Sequence, residues 1–425
     1  MTQPNIIELR NRAEAGEPRA QYMLAAALSS SGARDEADRW LHEAAKNGEA
    51  DASYTLATRH LQTHKGAAQA LALLQGAAQS GSNVAKRLLA VLYAEGIGVE
   101  ADWRAAVRLV VDAARTGDIE AQREIAMLLL LANPDDADAM NLLENAANRD
   151  AIAAAVYARR SISSGMVDAR TRSVIEHLSA MRYPNAAALY TAFNAASHLS
   201  PLQAERRKHA PIVWEGVLQK MTDSAPMTIP VAEPLCAAPE SIVFRRAFSP
   251  EACEYIIAAA GRRLAPSQTV DPGTGASRRD AYRTSLTATL GPVDLDLALV
   301  AFNRRIARIA GNPHCNGEFL SVLHYSPGQE YKPHFDWLPP GDDFDRGGQR
   351  VTTALVYLNE EYAGGETHFI NPDIQFKGGL GDLLVFQNAL ADGSADKVSR
   401  HASLPVTNGA KWIASKWFRG KKYNF

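Results

Sequence analysis

The stretch Tyr331-Lys-Pro-His-Phe-Asp-Trp337, read together with Ser399-Arg-His-Ala-Ser-Leu-Pro405, decides how the C-terminal half of this chain is understood. His334 and Asp336, followed far downstream by His401, have the make-up of a two-histidine, one-carboxylate iron(II) site. Such a triad holds one side of an octahedral ferrous ion and leaves the other side open for O2 and an organic co-substrate. The spacing makes a geometric demand. On a strand, residues two apart face the same way, so His334 and Asp336 converge while Phe335 points off. Lys411 comes ten residues after His401, in Lys411-Trp-Ile-Ala-Ser-Lys-Trp417. The run 411–419 alternates, so Lys411, Ile413, Ser415, Trp417 and Arg419 are expected on one face. An unpaired lysine pointing inward is strongly disfavoured. Either it snorkels to solvent or it anchors an acidic co-substrate.

A lone His-x-Asp pair is common on surface strands and turns, so the weight falls on what surrounds it. Tyr325-Ser-Pro-Gly-Gln-Glu-Tyr331 leads into the pair. Gly347-Gly-Gln-Arg350 leads into the apolar run Val351-Thr-Thr-Ala-Leu-Val-Tyr-Leu358. Gly364-Gly-Glu-Thr367, Gly381-Asp-Leu-Leu-Val-Phe386 and the His401 to Arg419 segment follow. In this order the segments resemble the prolyl 4-hydroxylase family of 2-oxoglutarate- and iron(II)-dependent dioxygenases. The resemblance extends upstream through Ile242-Val-Phe-Arg-Arg-Ala-Phe-Ser-Pro-Glu-Ala-Cys253 and Arg283-Thr-Ser285, and covers roughly residues 240–420.

The resemblance implies roles by position. His334, Asp336 and His401 match the iron ligands and so the catalytic centre. Lys411 matches the residue that binds the distal carboxylate of 2-oxoglutarate, and Tyr325 and Thr367 match further contacts to that co-substrate. Tyr331, Arg350 and Trp417 match the peptide-binding groove; ordinary packing at the rim is the plain alternative for these three. Cofactors implied are Fe(2+), 2-oxoglutarate as co-substrate and L-ascorbate as reductant. His314, His324 and His368 match no ligand position and read as packing or surface histidines. Trp337, Leu404 and Gly378-Gly-Leu-Gly381 depart from residues common in the family without touching a ligand; they bear on substrate identity.

Composition bounds the rest. A chain of 425 residues, 46% apolar and 22% charged, is long enough for two or three domains with real cores. A formal charge of −2 argues against a nucleic-acid binder working by bulk electrostatics. No apolar run reaches about 18 residues, so no membrane span is expected. Met1-Thr-Gln-Pro-Asn-Ile-Ile-Glu has neither the basic start nor the apolar core of a signal peptide. Cys236, Cys253 and Cys315 are scattered, which argues against a disulfide framework or zinc site and favours a reducing cytoplasmic setting.

The first half has another grammar. Ala44-Ala-Lys-Asn-Gly48-Glu-Ala-Asp-Ala52 recurs around Gly81 and Gly117, with degenerate copies around Gly16 and Asp150. The glycines Gly16, Gly48, Gly81 and Gly117 fall 32, 33 and 36 residues apart, the period of a helical-hairpin solenoid. Each glycine is expected to close one helix in a left-handed cap before the next begins. Leu92-Tyr-Ala-Glu-Gly-Ile-Gly-Val-Glu-Ala-Asp-Trp103 resembles the turn of a Sel1-like repeat, a relative of the tetratricopeptide repeat.

The expected architecture is therefore multidomain α + β: Sel1-like helical repeats over 1–207, a Pro-rich linker over 208–238, and an oxygenase domain over 239–425. In that last part Ser249-Pro-Glu-Ala-Cys-Glu-Tyr-Ile-Ile257 carries a helix-start signature. Short β-branched and aromatic strands suggest a jelly roll, which the resemblance sharpens to a double-stranded β-helix with flanking helices. Gly273-Thr-Gly-Ala-Ser-Arg-Arg279 has the make-up of a mobile flap. The function expected is dioxygenation, using O2 and 2-oxoglutarate, of prolyl residues in a peptide or protein recruited by the repeats, giving succinate and CO2. The alternatives are the same chemistry on a free amino acid or small metabolite, and a non-catalytic adaptor built on the repeats.

Overall fold

The computed structural model describes residues 6–62, 64–199, 211–222, 228–270, 277–278, 281–390 and 392–424. The chain divides into two compact units, residues 1–121 with 292–300 and residues 122–291 with 301–424.

The first unit is built from helices α1 (Ile6–Glu14), α2 (Pro18–Ser30), α3 (Arg34–Lys46), α4 (Ala50–His60), α5 (Ala67–Gln79), α6 (Asn83–Glu95) and α7 (Trp103–Arg115), each packed on the next. The period of the glycines is the period of the turns. Gly16, Gly48, Gly81 and Gly117 have φ of 86°, 90°, 91° and 90°, the left-handed conformation the repeat requires. At Gly48 its amide donates to Ala45 O (3.1 Å) and the Glu49 amide to Ala44 O (2.9 Å), a reciprocal cap repeated around Gly81 and Gly117. The residue after the glycine starts the next helix: Ser82 Oγ accepts from the Ala85 amide at 3.3 Å, and Asp118 Oδ1 from Ala121 at 2.8 Å. Alanines Ala44, Ala52, Ala57, Ala70, Ala85 and Ala106 are fully buried, which lets the helices approach closely.

The second unit continues the helical pattern through α8 (Ile119–Ala132), α9 (Ala137–Ala146), α10 (Ala151–Ser163), α11 (Ala169–Ala180) and α12 (Ala186–Leu199). Residues 200–210 and 223–227 of the segment expected as a linker lie outside the described residues. What is described there is not a bare spacer. Helix α13 (Trp214–Thr222) docks on α9 through Lys220, whose Nζ lies 2.7 Å from both Asp136 and Asp138. One of the prolines that signalled a linker sits instead on a sheet edge: β1 (Ala232–Ala237) carries Pro234 beside a bulge, the position where a missing amide donor is tolerated.

The remaining strands are β2 (Glu240–Phe244), β3 (Ala265–Pro266), β4 (Thr269–Val270), β5 (Ser277–Arg278), β6 (Leu286–Leu290), β7 (Leu320–Tyr325), β8 (Tyr331–His334), β9 (Arg350–Tyr357), β10 (Tyr362–Gly364), β11 (Thr367–Phe369), β12 (Ile374–Phe376), β13 (Leu383–Gln387), β14 (His401–Ser403), β15 (Val406–Gly409) and β16 (Lys411–Arg419). Helices α14 (Pro250–Gly261), α15 (Leu297–Ile309) and α16 (Asp342–Asp345) lie between them in sequence. The helix expected from the Ser249 signature is α14: Ser249 Oγ accepts from the Ala252 amide at 3.3 Å.

An eight-stranded antiparallel sheet has the order β1-β2-β13-β9-β16-β7-β6-β3, and a four-stranded one the order β12-β11-β14-β8. Two short ribbons, β10–β15 and β4–β5, complete the set. This is the jelly-roll layout, with the described strands forming separate sheets rather than a closed barrel. Val243, Leu323, Tyr325, Leu355, Tyr357, Phe369, Phe386 and Ile413, drawn from both larger sheets, form one core cluster. The central strands β9 and β16 are buried along almost their whole length, which explains why β9 reads as a nearly continuous apolar run and why the polar residues of β16 are buried with their neighbours. Among the described residues no helix is long and apolar enough to cross a membrane. All three cysteines are free.

Candidate metal centre and co-substrate cavity

His334 ends β8 and His401 begins β14, and the antiparallel register places them directly opposite each other. Asp336 lies two residues on, past the end of β8, so it comes near His334 without sharing the strand that the period-two reading expected. The ligand atoms of the three lie within 4.8 Å of one another, the one such group among the described residues. Asp336 Oδ1 is 3.6 Å from His334 Nε2 and Oδ2 is 3.7 Å from His401 Nε2, too long for hydrogen bonds.

The imidazoles are oriented by the backbone. Nδ1 of His334 lies 2.8 Å from Lys332 O, and Nδ1 of His401 lies 2.9 Å from Ser399 O. A carbonyl only accepts, so each Nδ1 carries the proton and each Nε2 keeps its lone pair for a cation. Asp336 is held in turn: Thr353 Oγ1 donates to its Oδ2 at 2.7 Å, and Asn388 Nδ2 donates to Thr353 at 2.7 Å. Burial, with charge repulsion from His401, pulls the His334 imidazole down to about 3. Burial alone would raise the Asp336 carboxyl, but His401, His334, the Thr353 hydroxyl and Arg350 together hold it at about 2. A neutral imidazole and an ionised carboxylate are the forms that bind a divalent metal.

Lys411 faces the same cavity. It is 1% exposed, and its Nζ donates to Gly365 O at 2.7 Å and to Ser403 Oγ at 3.0 Å. It also lies 5.3 Å from the ring centre of Tyr325, its partner across the β16–β7 ladder. Among the described residues no carboxylate pairs with it. Burial pulls it down to about 7, against a weak raising pull from Glu366. Tyr325, Thr367, Ile413, Ser415 and Trp417 line the cavity with it. Four of the five residues expected on one face of 411–419 are therefore there. Arg419 is the exception: it is bound to Glu318 and to the carbonyls of Asp343 and Gly348, both at 2.8 Å.

The profile of the 2OG-Fe(II) oxygenase superfamily matches residues 320–419, which contain the triad and Lys411. Prolyl 4-hydroxylase 1 of Arabidopsis thaliana is 38% identical over 198 residues, spanning 43% of this chain and 70% of that protein. The chain belongs to the prolyl 4-hydroxylase family. It is an Fe(II)- and 2-oxoglutarate-dependent dioxygenase of that type. Among solved structures, the viral collagen prolyl hydroxylase of Paramecium Bursaria Chlorella virus-1, in its 2-oxoglutarate complex, is 27% identical. That match covers 42% of this chain and 95% of that one, with a TM-score of 0.34. A Sel1 repeat protein from Oxalobacter formigenes is 28% identical, covering 27% of this chain and 92% of that one, with a TM-score of 0.26.

The donor set fits the iron that the family implies: two Nε2 lone pairs and a carboxylate converge, with their outer hydrogen bonds already made. The buried, carboxylate-free cation of Lys411 fits a dicarboxylate co-substrate. The residues matched to the family's peptide groove fall in two groups. Tyr331 and Trp417 line the cavity. Tyr331 stacks on His334, with ring centres 3.4 Å apart. Arg350 does not line it: its Nε and Nη2 donate to Glu318 at 2.6 and 2.8 Å, and its guanidinium lies 4.2 Å over Trp417. The histidines set aside stay outside the triad. His368 pairs with Asp373 at 2.6 Å, and His324 rests edge-on against Trp412.

Some residues that shape the site carried no role in the sequence reading. Arg283 lines the cavity with its guanidinium 4.9 Å from the Tyr331 ring. Ser403 and Gly365 hold Lys411, and Thr353 holds Asp336. Parity points to Thr353, a polar side chain in step with Leu355 and Tyr357 within the apolar run; nothing in the sequence singles out Glu318. Of the segment expected as a flap, 273–276 and 279 lie outside the described residues, and Ser277–Arg278 pair with Thr269–Val270.

Proposed function

We propose that the protein hydroxylates prolyl residues of a peptide or protein, with ferrous iron held by His334, Asp336 and His401 and 2-oxoglutarate anchored by Lys411. The observation that carries this reading is a fully buried lysine, paired only with neutral oxygens, opening into the same cavity as the triad. Bound iron and 2-oxoglutarate together supply O2 activation: one oxygen atom enters a substrate C–H bond, the other enters succinate, and CO2 leaves. The protein's share is placement and exclusion of side reactions. Lys411 orients the co-substrate, with Tyr325 and Thr367 as further contacts. Tyr331 and Trp417 form the wall against which the target residue rests, and Arg350 braces Trp417. L-Ascorbate serves as the reductant that keeps the iron ferrous between unproductive turnovers. The helical repeats hold the protein target, since stacked hairpins leave faces free for a partner.

The test is reconstitution without oxygen, using Fe(II), 2-oxoglutarate and proline-containing peptides, followed by admission of air. The reading expects a gain of one oxygen atom on proline, with one succinate released per hydroxylation. Oxygen appearing on a free amino acid or metabolite, with peptides untouched, overturns the peptide assignment and leaves the iron chemistry standing.

A further inference from the structure

Helix α14 is buried on every side, from Glu251 through Ala260, although it carries two carboxylates. A helix buried all round is normally apolar all round. One side of α14 faces the large sheet: it packs on β6 and β7, and Cys253 Sγ lies 4.0 Å from Tyr357 O. The other side presents Glu251, Glu254 and Tyr255, whose spacing puts them on one face. Each is met by a residue from the helices that precede the proline-rich segment.

Glu254, 1% exposed, is the centre of the cluster. It accepts from Arg159 Nε at 3.1 Å and Nη2 at 3.0 Å, from the Tyr183 hydroxyl at 2.6 Å, and from Asn185 Nδ2 at 3.0 and 2.9 Å. Glu251 is met by Arg160 at 3.7 Å and by the Ser163 hydroxyl. Arg123 Nε donates to the Tyr255 hydroxyl at 3.1 Å, while its Nη1 reaches Asp150 at 2.6 Å. Where α14 ends, a Cβ on Gly261 would stand 3.0 Å from Pro184 Cγ, a close approach that shows how tightly the 183–185 turn closes on the helix end.

The helix is also fixed to the cavity. Phe248, just before α14, donates its amide to Gly381 O at 3.1 Å, and the Gly381 amide donates to Tyr357 O at 2.8 Å. The Tyr357 hydroxyl meets Thr367 Oγ1, on the cavity wall, at 2.7 Å. Whatever is fastened to α14 is registered to the iron site.

We propose that the Arg159–Glu254 cluster is a lock that mounts helices α10–α12 on the oxygenase sheets in one orientation, a direct contact beyond the proline-rich linker expected between them. Removing one partner of a buried pair strands the other charge, whereas removing both does not. Arg159 is thus a positioning residue, distant from the chemistry. The lock does not depend on what the repeats bind.

The test is hydrogen exchange, read by mass spectrometry, on the full chain. In Arg159→Leu, amides of α14 and of α10–α12 should lose protection together, exchanging roughly a hundredfold faster or more. In Arg159→Leu/Glu254→Leu, which removes both charges but leaves the Tyr183 and Asn185 donors without that acceptor, protection should recover in part, by about tenfold or more over Arg159→Leu. Should Arg159→Leu not fold, Arg159→Lys, which keeps the charge and loses the fork, should raise exchange in the same two segments. Unchanged protection of α14 in either single variant, or a double variant as exposed as Arg159→Leu, overturns the lock.

Discussion

The two kinds of architecture in this chain handle charge in opposite ways. In the hairpins α1–α7, ion pairs such as Arg12–Glu17, Arg19–Asp51 and Arg59–Asp38 lie between half-exposed side chains on the surface. Such pairs contribute little, and the stability of these hairpins rests on small buried alanines and glycine caps. In the sheets the charges are inside. Asp336, Glu318, Lys411 and Arg419 are all buried. Glu318 is answered by Arg350 and Arg419, whereas Asp336 takes a hydrogen bond from Thr353 and faces the Nε2 lone pairs of two imidazoles. Among the described residues Lys411 is answered by a carbonyl and a hydroxyl and by no carboxylate. The contrast teaches where to look for chemistry: a buried charge with full partners holds the fold, and one without a counter-ion is prepared for a ligand.

The sharpest way to break this comparison is at the triad. His334→Ala, Asp336→Ala and His401→Ala should each bring succinate release down to the level of chelator-treated protein while the thermal transition persists, because the core is built elsewhere. Turnover near the parent level in any of the three would remove that residue from the ligand set. Chelation of the parent should abolish activity and Fe(II) should restore it.

Next in size is the lone cation. A hydrogen bond to a charged group contributes about 1.5–3 kcal/mol, so Lys411→Ala should weaken 2-oxoglutarate by roughly ten- to a hundredfold. Iron affinity should stay unchanged. The same residue sets a pH dependence. Burial holds Lys411 at about 7, and pairing with a carboxylate raises it. Below that value the lysine is already protonated and affinity is flat. Above it, binding must take up a proton, so affinity falls with rising pH, by at most about tenfold per unit. Lys411→Arg should abolish the slope. A slope that survives Lys411→Arg would place the titrating group elsewhere.

Thr353→Val tests a partner one step back from the metal. It removes the donor to Asp336 and should lower iron affinity by about ten- to a hundredfold. The Lys411 end of the cavity should be unaffected, so 2-oxoglutarate affinity measured at saturating iron should match the parent. Loss at both ends would mean the hydroxyl acts through the whole fold.

The smallest effect belongs to the repeats. Gly48 has φ of 90° with open space around a notional Cβ. Gly48→Ala should therefore cost only backbone strain, roughly 1–2 kcal/mol, seen in denaturant unfolding and absent from succinate release.

The two architectures were also unequally legible. The hairpins repeat a local rule, so Gly16, Gly48, Gly81 and Gly117 could be placed, with their left-handed caps, from spacing alone. The triad was legible for another reason: the family resemblance matched His334 and Asp336 and supplied His401 across a gap that no local pattern spans, while the shared strand expected for His334 and Asp336 ends at His334. What escaped reading is what long-range pairing decides. Pro234 reads as a linker residue until β1 is seen at the edge of a sheet, where proline is harmless. Arg350 resembles a substrate contact until Glu318, thirty-odd residues upstream, is found on its guanidinium. Glu254 looks like an ordinary residue of a helix start, and only the packing of α10 on α14 reveals its five hydrogen bonds.

The central claim is that one cavity joins a metal triad to a co-substrate cation, and anaerobic calorimetry of 2-oxoglutarate binding tests it most directly. Titrations with and without Fe(II), on the parent and on Lys411→Ala, form a complete square. The claim predicts tight binding only with both iron and Lys411 present, weaker binding when either is absent, and equal iron affinity in the two proteins. Binding of 2-oxoglutarate that is indifferent to iron, or unchanged by loss of Lys411, would contradict it.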